Sequence, residues 1–280
     1  MRVENKTIMI TGAASGIGRG LALEAADRNA TLVLTDIDQD GLAETLRLVC
    51  AERHTSAHTA HLLDVSRLED WRSVIQDIQA EHAHLDGLIN NAGISFLGTV
   101  EDTTYDHFST VMSVNFMAVV YGTKEVLPLL KTRPEAFIAN VSSVFGVYPM
   151  KKHGAYCASK YAVSGFTGVL QQELKSTAIT VSSIHPGHIA TNVARNALEA
   201  GNMVGDTLPK VHQDYLLKAF ETNGLPPVRR HRSSSMVLPK SVDKSSLARM
   251  LNVQTGKVGF YRNALSTRSM MRPLRLRISA

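Results

Sequence analysis

The strand-like run Thr7–Thr11 passes directly into Gly12-Ala13-Ala14-Ser15-Gly16-Ile17-Gly18, and a helical stretch follows at 17–28. Few folds accommodate a strand that turns into a helix through three closely spaced glycines. Glycine permits the tight turn and lets backbone N–H groups approach an anion, which the positive end of the helix then favours. A pyrophosphate is the expected guest, because dinucleotide-binding α/β folds place one at this turn. The spacing is G-x-x-x-G-x-G, not the commoner G-x-G-x-x-G, and alone it also fits an ordinary glycine-rich loop.

The following residues narrow the choice. Strand-like runs at 31–36, 58–65, 85–90, 136–142 and 180–185 alternate with helical stretches at 41–53, 68–82, 104–121, 122–130 and 155–176. This alternation predicts an α/β fold, a doubly wound parallel sheet with helices on both faces. The run 85–90 has the mostly apolar character of a strand covered on both sides.

Asp36 closes the second strand, 18 residues after Gly18. A carboxylate there can accept hydrogen bonds from both hydroxyls of a ribose and repel a 2′-phosphate. The expected cofactor is NAD, with NADP disfavoured. The plainer role for Asp36 is a helix N-cap.

A second constellation is Ser143, Tyr156 and Lys160. A Tyr-x-x-x-Lys pair is a weak signal by itself in a chain with seven tyrosines. Four residues apart near the start of a helix, however, the two side chains share a face. Ser143 follows a strand end thirteen residues before Tyr156. An ammonium beside a phenol stabilises phenolate, so the spacing predicts a lowered Tyr156 pKa and a usable general base.

Composition excludes several classes. With 280 residues, 44% of them hydrophobic, the chain suffices for one full-sized core. Two cysteines, Cys50 and Cys157, make neither a disulfide scaffold nor a zinc module. Eleven histidines show no ligand spacing, so no metal is expected. No apolar run approaches the ~20 residues that span a bilayer, and the polar start offers no secretory signal. The expectation is a cytoplasmic protein.

Thr11-Gly12-x-x-x-Gly16-Ile17-Gly18, Asp64-Val65, Asn90-Asn91-Ala92-Gly93, Asn115, Ser143, Tyr156-x-x-x-Lys160 and Pro186-Gly187 with Thr191 occur in this order. Together they resemble a classical short-chain dehydrogenase/reductase over about residues 6–196. The resemblance implies a Rossmann-type sheet of seven parallel strands in the order 3-2-1-4-5-6-7. It implies that Tyr156 is the acid/base, that Lys160 lowers its pKa and holds the nicotinamide ribose, and that Ser143 polarises the substrate oxygen. Asn115 would keep a water linking Lys160 to solvent. Cofactor contacts would come from Gly12, Ser15, Gly16, Ile17, Gly18, Asp36 and Ile37. Asp64 and Val65 would meet adenine, Asn91, Ala92 and Gly93 would line the site, and Pro186, Gly187, Ile189 and Thr191 would complete it. A homodimer or homotetramer through 104–130 and 155–176 is also implied. Asn29-Ala30 stands where the family usually has Gly-Ala, and asparagine tolerates the same left-handed helix end.

The expected reaction is hydride transfer between NAD and a secondary alcohol or ketone. Phe96, Phe145, Tyr148 and Met150 beside Ser143, with the loop 192–225, predict an apolar, medium-sized substrate. An NADP(H)-tolerant carbonyl or 3-oxoacyl reductase stays open beside it. So does a cofactor-binding regulatory protein that uses a basic tail on nucleic acid or membrane. Retention of Asn115, Ser143, Tyr156 and Lys160 argues against the regulatory alternative, and no nucleic-acid partner is expected.

That tail departs from the resemblance. Residues 226–280 hold twelve of the thirty lysines and arginines but one of the twenty-five acids, which leaves residues 1–225 mildly acidic. Residues 1–225 therefore read as one catalytic domain, and 226–280 lack the periodicity of a helix and closing strand. In the neighbouring reading frame from Val228 onward, permitted codons can spell such a helix, strand and turn. The glycine arising from Met236-Val237 is forced by the code. A shifted frame, with a largely disordered tail and no seventh strand, competes with a genuine basic anchoring tail.

Overall fold

The computed structural model describes residues 3–52 and 57–186. Gly187, Ile189, Thr191, the loop 192–225 and the tail 226–280 lie outside the described residues. Six parallel strands form the sheet: β1 (Thr7–Thr11), β2 (Thr31–Asp36), β3 (Thr59–Leu62), β4 (Gly87–Asn90), β5 (Ala136–Val141) and β6 (Ile179–Ile184). Their order is 3-2-1-4-5-6, as the sequence implies; a seventh strand would fall beyond the described residues. The direction of winding reverses between β1 and β4. A crevice opens at such a switch point, at the carboxyl ends of the strands.

Helices α1 (Gly16–Asp27), α2 (Gln39–Glu52), α3 (Leu68–Glu81), α4 (Tyr105–Met112), α5 (Ala118–Leu130) and α6 (Gly154–Glu173) cover the sheet. The period of two along each strand sends alternate side chains to opposite faces. Ile8 and Ile10 of β1 join Leu32 and Leu34 of β2 beneath α1 and α2. Met9 and Val33 point the other way, into a core with Trp71, Val126 and Leu170 from α3, α5 and α6. Every residue of β1, β4 and β5 is buried, which accounts for their mostly apolar composition.

Most element boundaries follow local chemistry. Helix α2 starts before residue 41 because Asp38 precedes it and its Oδ1 accepts the Gly41 N–H at 3.0 Å. Asn29 ends α1 at φ +64°, the left-handed conformation expected of it. The helical break expected at 121–122 is absent. Instead the chain widens into a π-helical turn at Ser113–Met117, between α4 and α5. Gly122 remains helical because its bare Cα admits the Trp71 indole, which would lie 2.5 Å from a Cβ there.

Candidate active site

The glycine loop stands at the carboxyl end of β1, against the start of β4's outgoing loop. Gly12 adopts φ +68°, and a Cβ on it would meet the Ala92 Cα at 2.8 Å. A Cβ on Gly18 would lie 1.9 Å from the Gly12 carbonyl oxygen. Asn91 stitches the two segments together: its Nδ2 donates to the Thr11 carbonyl at 2.9 Å and the Gly12 carbonyl at 3.2 Å. Thr11 Oγ1 accepts from the Asn91 and Ala92 amides at 3.0 Å each. Ser15, the residue before α1, makes no side-chain cap. The first-turn N–H groups of α1 thus present donors without that internal acceptor, which fits a pyrophosphate. Ile17 is half-buried and packs on the core beneath the loop.

Asp36 lies beside this loop. Its Oδ2 accepts the Ala14 N–H at 2.9 Å and its Oδ1 accepts the Asp38 N–H at 3.0 Å. Ile37, next along, is 72% exposed and offers an apolar surface at the same edge. Asp64 closes a local turn, accepting from the Ser66 amide at 2.9 Å and the Ser66 hydroxyl at 2.7 Å. Val65 is buried in the core, and its carbonyl accepts the Trp71 indole N–H at 3.0 Å.

The second half of the site joins β5 to α6. Ser143 follows β5 and caps a short 3₁₀ turn, Val144–Gly146. Its hydroxyl accepts the Phe145 amide at 3.1 Å and favours ionisation of the Tyr156 phenol. Lys160, one helical turn further along α6, donates from Nζ to the Val141 carbonyl at 2.8 Å. Pro186 is buried, and its carbonyl accepts the Val144 amide at 3.0 Å, closing the site from β6.

The electrostatics differ from the expectation. Burial pushes the Tyr156 phenol above its ordinary value, the Ser143 hydroxyl pulls it back, and Cys157 adds a smaller upward push. Lys160 is not what sets the direction. Its own pKa falls to about 8 because burial disfavours the ammonium. The i, i+4 spacing put both residues on one helical face, as predicted, and the burial of that face sets the direction of both shifts.

Asn115 is fully buried within the π-helical turn. Its Oδ1 accepts the Ile94 amide at 2.8 Å, and its Nδ2 donates to the Ile94 carbonyl at 2.9 Å and to Ser159 Oγ at 3.0 Å. The side chain therefore ties the loop after Gly93 to α6. Gly93 itself sits against Asn115 Oδ1 and Lys160 Nζ.

The expected substrate wall divides. The Phe145 ring stands edge-on to Tyr156 with 6.3 Å between centres. Tyr148 and Met150 are exposed at the rim. Phe96 is instead buried with Val111 and Ala155 and stacks on His107, so it backs the site rather than lining it. The sequence reasoning missed Ser159 and Ser142. Ser142 Oγ donates to the Lys160 carbonyl at 2.9 Å and thereby anchors the helix that carries Tyr156. Neither serine carries a spacing signal, because its partners are distant in sequence.

A family model described as short chain dehydrogenase matches residues 6–201. The chain belongs to this family. Short-chain dehydrogenases are oxidoreductases on a nucleotide-binding Rossmann fold, and that is the fold seen here. SadH of Mycobacterium tuberculosis is 39% identical over 199 residues, 70% of this chain and 71% of that protein. The cyclopentanol dehydrogenase of Comamonas testosteroni is 34% identical over 199 residues, 71% and 79% of the two chains. Among solved structures, a short-chain dehydrogenase/reductase from Burkholderia phymatum in complex with NAD is similar with a TM-score of 0.72. It is 25% identical, and the match covers 89% of this chain and 85% of that one.

Proposed function

We propose that this short-chain dehydrogenase is NAD-dependent and transfers hydride between the nicotinamide and a medium-sized, apolar secondary alcohol or its ketone. The observation that carries the reading is the buried Tyr156 phenol, whose ionisation Ser143 favours, with Lys160 Nζ 5.7 Å from the ring centre on the same helical face. Bound NAD supplies the hydride acceptor. In the oxidative direction Ser143 holds the substrate hydroxyl, and ionised Tyr156 accepts its proton as hydride leaves the carbinol carbon. The proton reaches the phenol oxygen, the two electrons leave with the hydride, and the ketone remains. Reduction runs the same exchange backwards. Lys160 would hold the nicotinamide ribose, and Asn115 holds the loop after Gly93 in place beside it.

Asp36 favours NAD, because its carboxylate suits the ribose hydroxyls and opposes a 2′-phosphate. Gly12, Ser15, Gly16, Ile17 and Gly18 would receive the pyrophosphate, and Ile37, Asp64 and Val65 would border the adenine. The apolar rim of Phe145, Tyr148 and Met150 suits an alicyclic or aliphatic alcohol better than a sugar phosphate, which needs a cationic clamp. Similarity to a cyclopentanol dehydrogenase supports that substrate class. Exposed Tyr161 and Val169 on α6 support assembly into a homodimer or homotetramer.

A panel of alicyclic, aliphatic and aromatic secondary alcohols and their ketones, assayed by nicotinamide absorbance with NAD(H) and NADP(H), tests the proposal. Turnover of an apolar member with the higher kcat/KM for NAD is expected. A higher kcat/KM with NADP, or activity confined to charged substrates, overturns it.

A further inference from the structure

We propose that Arg19 is a positioning residue for the cofactor, one that holds the glycine loop in its binding conformation from the side opposite Asp36. The inference rests on the NAD-binding reading above.

Arg19 follows Gly18 in α1, and its side chain turns back beneath the loop instead of into solvent. Nη2 donates to the Ala14 carbonyl and, at 2.9 Å, to the Gly41 carbonyl in the first turn of α2. Nε donates at 2.8 Å to Thr45 Oγ1. Thr45 is itself fully buried, and its hydroxyl lies 2.9 Å from the Ala13 carbonyl and 3.0 Å from the Gly41 carbonyl. The guanidinium thus joins three parts of the chain that the cofactor would touch or rest on: α1, the loop at 13–14, and the start of α2.

The Ala14 residue is held at both of its polar groups. Asp36 Oδ2 takes its N–H at 2.9 Å, and Arg19 takes its carbonyl. The Ala13 N–H is also fixed, on the Thr35 carbonyl at 3.0 Å. With Ala14 held in this way, the Ser15 and Gly16 amides cannot swing away from the mouth of α1 without breaking charged hydrogen bonds. Arginine suits this task because its planar fork serves several acceptors at once, whereas lysine offers a single point charge. A loop ordered before binding loses less conformational freedom when it closes on the pyrophosphate, so the benefit appears as affinity.

Arg19→Met keeps the length of the stem and removes all the donors. Its Kd for NADH, read by fluorescence quenching, should rise about 10–100-fold, the loss expected for charge-assisted hydrogen bonds. KM for NAD should rise in parallel, with kcat at saturation within about threefold of wild type. ADP-ribose, which lacks the nicotinamide, should lose the same factor. Thr45→Val should shift affinity in the same direction by less, and the double variant should lose less than the product of the two singles. Arg19→Lys should fall between wild type and Arg19→Met, and it carries the test if the methionine variant does not fold. Wild-type NADH affinity in folded Arg19→Met, or in the lysine variant when it carries the test, overturns the inference. So does a fall in kcat at unchanged KM. Failure of the wild-type protein to bind NADH or NADPH overturns the proposed function itself, a result separable from any variant's behaviour.

Discussion

Lys160 Nζ lies 5.7 Å from the centre of the Tyr156 ring and donates its hydrogen bond to the Val141 carbonyl, at 2.8 Å. The ammonium is thus tied to the end of β5 while its charge faces the phenol's ring. In this arrangement the Ser143 hydroxyl, not Lys160, offsets the upward push of burial on Tyr156.

The proposed oxidation uses Tyr156 without its proton, and burial raises its pKa in the free protein. The kcat/KM for oxidation should therefore climb with pH from neutrality into the alkaline range. Ser143→Ala removes the hydroxyl that lowers the pKa, so the limb should move to higher pH. A pH profile of kcat/KM checks this, and an unmoved limb in Ser143→Ala defeats the assignment.

Tyr156→Phe keeps the ring and removes the proton carrier. Turnover should fall roughly 10²–10⁴-fold, the usual contribution of general acid–base catalysis. NADH affinity should change little, because the glycine loop and Asp36 belong to other elements. Steady-state kinetics with a parallel NADH titration measures both.

Lys160 carries a stability consequence. Burial lowers its pKa to about 8 in the folded protein, against 10.5 for an ordinary lysine. Between these values the unfolded chain keeps a proton that the folded protein has released, so stability should increase with pH across this window. Below pH 8 both states are protonated and this contribution is flat. The gain should be on the order of 3 kcal/mol and should vanish in Lys160→Met. Above the ordinary tyrosine pKa the trend is opposed, because Tyr156 stays protonated longer when folded. Urea unfolding on either side of pH 8 for both proteins checks the sign.

Asp36 holds the Ala14 N–H, and in the proposed function it also receives the ribose hydroxyls. Asp36→Ala should therefore narrow the preference for NAD over NADP and also weaken NAD binding. Asp36→Asn removes the charge yet retains one acceptor oxygen. Its NADP discrimination should fall roughly tenfold, with a smaller loss of NAD affinity than in the alanine variant. Kd values for both cofactors with both variants separate the two roles.

Gly18→Ala brings a methyl group to within 1.9 Å of the Gly12 carbonyl oxygen unless the backbone moves. The loop must open to admit it. Destabilisation of about 1–3 kcal/mol is expected, together with loss of measurable NADH binding. Thermal unfolding and NADH titration of the same sample would show the two effects together.

The sequence by itself determined most of the elements and set the glycine turn and the shared face of Tyr156 and Lys160 in place. Hydrophobic periodicity, glycine at a turn with φ +68°, and a Tyr–Lys spacing of one helical turn are local properties, set by neighbours a few residues away. The strand order followed as well, through resemblance at seven motifs. Tertiary structure decided the rest. Phe96 looked like pocket wall and is core, because burial depends on what packs across from it. Asn115 pins Ile94 and Ser159, Arg19 reaches Gly41 and Thr45, and Ser142 holds Lys160, all across separations that no periodicity encodes. The same holds for the titration of the pair at the centre. Spacing placed Tyr156 and Lys160 side by side, but only the packed fold removes water from both, and desolvation then raises the one pKa and lowers the other.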